Sequence, residues 1–396
     1  MARVLCAWEF GGDLGHVRRL MPIAAALRAA GHSVVLAFRD SSFLEAALGE
    51  GFPGFVAPLL RAPPTVSPSP LSFPDILLNL GFDDPAGLRG ALRAWRSLYE
   101  LVKPDLLLAD YAPTALLAAR GLPMRRVTIG TGFSLPRDGD PLPALRPWAR
   151  AEEGVLRALD DRLVNSIRAA MHGVSREAPR HAREIFEANA HLLCTFPEID
   201  PFGPRDGVEY VGPQGDAATG VEAHWSSARP RVFAYLKPRY PRFAAALAGL
   251  RALGAEAIVA APGLTPEEAH AASDATLRVV PAAVRLDAIL RDANLCVAHA
   301  GPGLAARALV NGIPLALLPM QLEQFLVAQR LKDGGSAELS NPEEPAPEFA
   351  SWFRALLERD DLRRAARDRA QALRGYSFDE ATARAARRIG SVLTDS

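Results

Sequence analysis

The chain has 396 residues, 49% of them hydrophobic, with 45 basic residues set against 45 acidic ones. Such a length supports roughly two to three domains of about 150 residues, each able to bury a full core. The even charge balance removes the basic footprint expected of a protein that binds nucleic acid or an anionic membrane.

In the first 130 residues short β-rich runs alternate with helical stretches, the pattern of a parallel α/β sheet. Residues 4–8, 33–38, 54–57, 105–109 and 126–129 are expected as strands. Between the first two, 17–30 carries Leu20, Ile23, Ala24 and Leu27 at helical spacing, and Gly31 supplies the stop. Pro22 fits that helix if it falls in the first turn. Residues 57–74 are rich in Pro and Ser and read as a surface loop. Residues 146–189 read as mostly helical and 191–196 as a further strand. A polar stretch of small residues, 214–230, marks a domain linker. The alternation then restarts, with strands expected at 232–236, 257–261, 277–280, 295–298 and 314–318, and three helical segments from about residue 347.

Cys6, Cys194 and Cys296 lie far apart, each in an apolar run, which argues against a disulfide frame and for a reducing compartment, the cytoplasm. The histidines form no metal-binding spacing, so no metal is expected. No apolar run approaches the ~20 residues that span a bilayer. Arg and Ala dominate while Lys103, Lys237 and Lys332 are the only lysines, which fits a GC-rich bacterial source.

Two stretches carry chemistry as well as fold. After the first strand comes Glu9-Phe10-Gly11-Gly12-Asp13-Leu14-Gly15-His16, which places His16 at the carboxyl edge of the sheet, on a glycine-shaped loop entering a helix. Asp110 closes a later strand. In one parallel sheet those two ends can lie side by side, and Asp beside His makes a general base: the carboxylate holds the tautomer and stabilises the imidazolium. Glu9, Gly12 and Asp13 share the loop and are acceptor-side candidates, with Glu9 equally able to fix the loop itself. The second stretch is 294–324. An apolar run breaks at His299, Ala300-Gly301-Pro302-Gly303 leads into a helix, and a second apolar run ends near Glu323 and Gln324. Strand, glycine loop and helix N-terminus form a site for phosphate, because backbone N–H groups and the helix dipole face the anion.

The second stretch resembles the donor-binding signature of the GT-B nucleotide-sugar glycosyltransferases, notably bacterial macrolide and antibiotic glycosyltransferases and plant UDP-glycosyltransferases. That signature runs H-G-G-x-G-T, a helix, G-V-P, then P-x-x-x-D-Q-x-x-N-A. Here it reads His299-Ala300-Gly301-Pro302-Gly303-Leu304, Gly312-Ile313-Pro314, then Pro319 to Ala328 with Glu323-Gln324 at the acidic-amide pair. The hydroxyl residue has become Leu304 and the Asn has become Val327. The N-terminal half is similar too. Gly15-His16, Ile23, Leu27 and Gly31-His32 match the family's G-H segment, and Lys103 to Asp110 matches its K-P-D-L-V-I-x-D stretch.

The resemblance implies a specific organisation. The chain is expected to be an α/β protein of two Rossmann-like domains facing across a cleft (GT-B), with a C-terminal helix crossing back to the first domain. On this reading residues 1–213 are expected to form the acceptor-binding domain, 214–230 the linker, 231–375 the nucleotide-sugar domain and 376–396 the returning helix. It implies an inverting, metal-independent transfer of a sugar from a nucleotide-diphosphate sugar (UDP or TDP), the donor substrate, to a small-molecule or lipid-like acceptor, with no cofactor and no nucleic acid. His16 and Asp110 are the expected base, His299, Gly301 and Gly303 the phosphate site, Glu323 and Gln324 the sugar contacts. Two departures stand out. Where the family's second domain opens with a Gly-Ser loop, this chain has Lys237, whose point charge can replace lost N–H donors. At the base-binding segment Arg285 is placed to stack on the nucleobase. The alternatives are a GT-B-shaped nucleotide-sugar 2-epimerase, which needs carboxylates rather than a His at the first loop, and a sugar-nucleotide-binding relative that has lost transfer.

Overall fold

The computed structural model describes residues 1–12, 15–63, 67–146, 148, 151–215 and 220–394. The chain divides into two compact units. The first comprises Met1–Thr195, Pro204–Gln214 and Asp379–Ser396, the second Phe196–Gly203 and Gly215–Phe378.

Unit 1 is built on a seven-stranded parallel sheet of β1 (Arg3–Trp8), β2 (Ser33–Phe38), β3 (Gly54–Val56), β4 (Leu106–Asp110), β5 (Arg125–Gly130), β6 (Ala190–Leu193) and β7 (Glu209–Tyr210), in the order β3-β2-β1-β4-β5-β6-β7. The central strands read as continuous apolar runs because helices cover both faces. Along β1, Val4, Cys6 and Trp8 point into one core together with Leu20, Ile23 and Leu27 of the Gly15–Ala29 helix. The closing helix, Phe378–Thr394, adds Ala385, Ile389 and Val392 to that same core, so the end of the chain completes the domain that its beginning started.

Two expectations about unit 1 need correction. Pro22 is not in the first turn, since the helix already begins at Gly15. The missing Pro22 N–H leaves the carbonyl of Arg18 without its helical partner, tolerated because Arg18 is on the exposed side. The 57–74 segment is not all surface: Ser72 and Phe73 are fully buried, and Phe73 opens a short helix.

Unit 2 carries a six-stranded parallel sheet of β8 (Arg231–Tyr235), β9 (Glu256–Ala260), β10 (Leu277–Val280), β11 (Leu295–Ala298), β12 (Leu315–Leu317) and β13 (Ala337–Leu339), in the order β10-β9-β8-β11-β12-β13. Alternation along β11 shows how both faces fill: Cys296 and Ala298 enter one core, Leu295 and Val297 the other. Phe196 and Ile199 lie in the first of these, which is why 196–203, upstream of the expected linker, pack with this unit. Both sheets have the Rossmann-like order. Strand sequence reverses between β1 and β4 in unit 1 and between β8 and β11 in unit 2. At such a reversal the loops leaving adjacent strands diverge to opposite faces and open a crevice at the carboxyl ends, where ligands of open α/β sheets bind.

Candidate active site

The reversal in unit 1 brings the predicted His–Asp pair together. Trp8 is in register with Asp110, so the β1 loop starts beside the end of β4. His16 Nδ1 lies 3.0 Å from Asp110 Oδ1. Asp110 is fully buried, and a third group holds it that the sequence reading missed: Arg19 Nη1 donates to Oδ2 at 2.5 Å. Burial pushes the Asp110 carboxyl up, but the Arg19 charge and the His16 contact outweigh it and hold the group below its ordinary value. An ionised carboxylate only accepts hydrogen bonds, so His16 Nδ1 carries a hydrogen, and in the neutral ring Nε2 is then the nitrogen with the lone pair.

The imidazole is fixed on other sides as well. Trp8 stacks on it, with ring centroids 5.0 Å apart and planes 17° from parallel. Gly11, at φ +81°, passes so close that a Cβ there would sit 2.5 Å from Nε2. Arg39 donates to the Gly11 carbonyl at 2.6 Å and fastens the loop to the end of β2. His16 keeps 15% of its side chain exposed.

The acceptor-side candidates fall out differently. Glu9 is 1% exposed, and its two oxygens accept the N–H groups of Thr114 (2.9 Å) and Ala115 (2.8 Å) at the start of the Pro113–Ala119 helix. It is a buried helix cap, not a group that touches an acceptor, and burial pushes its carboxyl up to about 8 against the pull of those amides. Gly12 is exposed with open space beside it. Asp13 lies outside the described residues.

At the reversal in unit 2, His299 follows β11 and is 3% exposed. Its Nδ1 lies 2.7 Å from the Leu318 carbonyl and its Nε2 accepts the Lys237 backbone N–H at 2.9 Å. Those partners allow one assignment only, a neutral ring with the proton on Nδ1. Burial lowers the affinity of the ring for a second proton. Both nitrogens are therefore engaged, and His299 stands as a brace joining the ends of β8, β11 and β12 rather than as a direct phosphate donor. Gly301 begins the Pro302–Val310 helix with no side-chain cap, and open space faces both Gly301 and Gly303. Ala300, at φ +60°, takes a backbone conformation that favours glycine.

The remaining donor-side residues are partly committed. Gln324 is buried, and its Oε1 accepts the Met320 N–H at 2.8 Å, so it closes the start of its own helix. Glu323 and Lys237 are half-buried near the same strand ends. Arg285 is exposed and ion-paired with Glu222 at 2.7 Å. Val327 is wholly buried in the core and Leu304 packs against it, so both departures from the family pattern are explained by apolar packing. All three described non-glycine residues with positive φ follow helix or strand ends. Two of them, Tyr111 after Asp110 and Ala300 after His299, adjoin the two reversal sites; strain of this kind collects at functional sites.

No family model and no curated protein matches the chain. Solved structures do. The glycotransferase of kitacinnamycin is 18% identical over 99% of both chains, with a TM-score of 0.74. The spinosyn forosaminyltransferase SpnP is 19% identical over the full length of both, with a TM-score of 0.65. The glycosyltransferase SnogD from Streptomyces nogalater is 22% identical over 98% and 99%, with a TM-score of 0.61. The fold is the GT-B fold of these glycosyltransferases. No described helix is long and apolar enough to cross a membrane.

Proposed function

We propose that the protein is an inverting, metal-independent glycosyltransferase that moves a sugar from a nucleotide-diphosphate sugar to an acceptor hydroxyl. The observation that carries this reading is the His16–Asp110 pair, 3.0 Å apart at the sheet reversal of a GT-B unit. His16 Nε2 takes the acceptor's hydroxyl proton as the oxygen attacks the anomeric carbon. The bond from that carbon to the diphosphate oxygen breaks, the nucleoside diphosphate leaves with the electron pair, and attack from the opposite face inverts the centre. Asp110, its charge secured by Arg19, stabilises the imidazolium that forms.

On the donor side, the uncapped N-terminus of the Pro302–Val310 helix and the open space at Gly301 and Gly303 support a phosphate site made of backbone N–H groups and the helix dipole. Glu323 and the free amide end of Gln324 are assigned to the sugar, Lys237 to the diphosphate, and Arg285 to the nucleobase. SpnG has been solved with thymidine diphosphate and with spinosyn aglycone, and VinC with DTDP. Thymidine diphosphate is therefore the first nucleotide to test, with UDP beside it, and an apolar small molecule the first acceptor. The three cysteines are free and buried, which supports a reducing, cytoplasmic setting. Replacing His16 with Ala is expected to lower sugar transfer by about 10²–10⁴-fold, the usual contribution of a general base, while EDTA leaves transfer intact. Undiminished transfer by H16A, or loss of turnover on chelation, would contradict the mechanism.

A further inference from the structure

We infer that Arg19 is a positioning residue that keeps the His16–Asp110 pair free of an extra proton, and so keeps His16 available as a base at neutral pH. The inference rests on the function proposed above and goes beyond it. Arg19 stands three residues after His16, one turn along the same helix, and buries its guanidinium against the carboxylate that His16 also uses. Its neighbour Arg18 is exposed, so burial here is specific to one of two adjacent arginines.

The charge balance decides what Arg19 does. A fully buried carboxylate needs a positive partner. With Arg19 in place that partner is permanent, and the His16 ring contributes a neutral N–H. With Arg19 replaced by a neutral residue the carboxylate has only the His16–Asp110 pair itself to supply the charge. The pair then takes up a proton, either as imidazolium beside carboxylate or as carboxylic acid beside the other imidazole tautomer. In both forms Nε2 carries hydrogen and cannot accept one. The two groups titrate as a unit, so the assignment belongs to the pair.

Other charged and titratable groups around the pair do not substitute for Arg19. Arg39, at the end of β2, is bound to the Gly11 carbonyl. Cys194, beyond β6, is buried and its thiol is pushed up to about 12. Tyr111 follows Asp110 on the same chain, and its ring packs against Phe10 and Phe73. Glu9 is turned away to the Thr114 and Ala115 amides, and it is present in parent and variant alike.

The test compares the parent with R19Q and R19K. In R19Q turnover at pH 7 is expected to fall about tenfold or more, since one pH unit of displacement in a required deprotonation changes the active fraction tenfold. It should recover toward the parent as pH is raised to about 9. R19K, which keeps a charge, should retain most of the activity at pH 7. A loss equal at every pH would mark Arg19 as merely structural and overturn the inference, as would an R19Q protein with the parent's profile. NMR of the His16 ring protons, taken without substrate, separates this from the functional reading. The ring signals should titrate at higher pH in R19Q than in the parent, and coincident titration curves overturn the inference whatever the turnover. Should H16A transfer sugar normally, the base assignment fails while the titration result for Arg19 stands.

Discussion

The two sheet reversals share one topology and use histidine in opposite ways. In unit 1 His16 faces an ionised carboxylate backed by a buried arginine, and the contact occupies Nδ1, so in the neutral ring Nε2 is the nitrogen with a lone pair. In unit 2 His299 faces a carbonyl and an amide, is neutral, and has both nitrogens engaged. The difference follows from what the neighbouring strand delivers. β4 ends in an acidic side chain in register with Trp8, whereas the hydrogen-bond partners that the ends of β8 and β12 bring to the ring nitrogens are backbone groups. Topology thus places a histidine, and the chemistry of the adjacent strand end decides whether it can move a proton or only hold loops in place.

Charge at one site and neutrality at the other give different responses to mutation and pH. The larger effect belongs to unit 1. Asp110→Asn leaves Arg19 buried without its counter-charge, and breaking such a pair typically costs about 3–5 kcal/mol. Because the Asp110 carboxyl is held below its ordinary value in the fold, its contribution is present at neutral pH. It is lost only as pH falls through the carboxylate range, below about 4. His299→Ala removes two hydrogen bonds to backbone groups and is expected to cost less, about 1–3 kcal/mol. His299 is held neutral, so its contribution weakens as pH falls below about 6.5, where the unfolded chain takes up the proton first. Urea unfolding at pH 7, 5.5 and 3.5 checks both. Between pH 7 and 5.5 the parent should lose more stability than H299A does. If H299A and the parent fall in parallel over that interval, His299 is not the neutral brace described.

Much of this was legible in the sequence, and the rest was hidden for identifiable reasons. The apolar runs of β1, β4, β8 and β11 announce a sheet covered on both faces, and the glycines around His16 and His299 announce loops at its edge. Strands as short as Glu209–Tyr210 and Ala337–Leu339 carry too few residues to show a period. Arg19 was missed because adjacent arginines on a helix read as solvent-facing; the available signal was its three-residue spacing from His16 on a helix whose buried face is otherwise apolar. Glu9 was open between an acceptor contact and a structural anchor because a strand-end carboxylate looks the same in sequence whether it faces a crevice or caps the next helix, and the structure commits it to the helix. His299 was placed correctly, but its role depends on Lys237 N–H and the Leu318 carbonyl, backbone groups that no side-chain pattern reports. Ala300 stands where the family motif has glycine, and its φ of +60° shows why glycine is the residue usually found there.

The central claim is a division of labour, with proton chemistry in unit 1 and nucleotide binding at the glycine loop of unit 2. Calorimetric binding of thymidine diphosphate to G303D and H16A tests it most directly. Gly303 has open space around it and lies in the first turn of its helix, so aspartate is accommodated there and favoured by the dipole, and the variant should fold. Its carboxylate would occupy the anion site. The account predicts that G303D loses about tenfold or more in affinity, a coupling of at least 1.4 kcal/mol, while H16A binds the nucleotide as the parent does. Equal affinity of G303D and the parent, or a large loss in H16A, would contradict it.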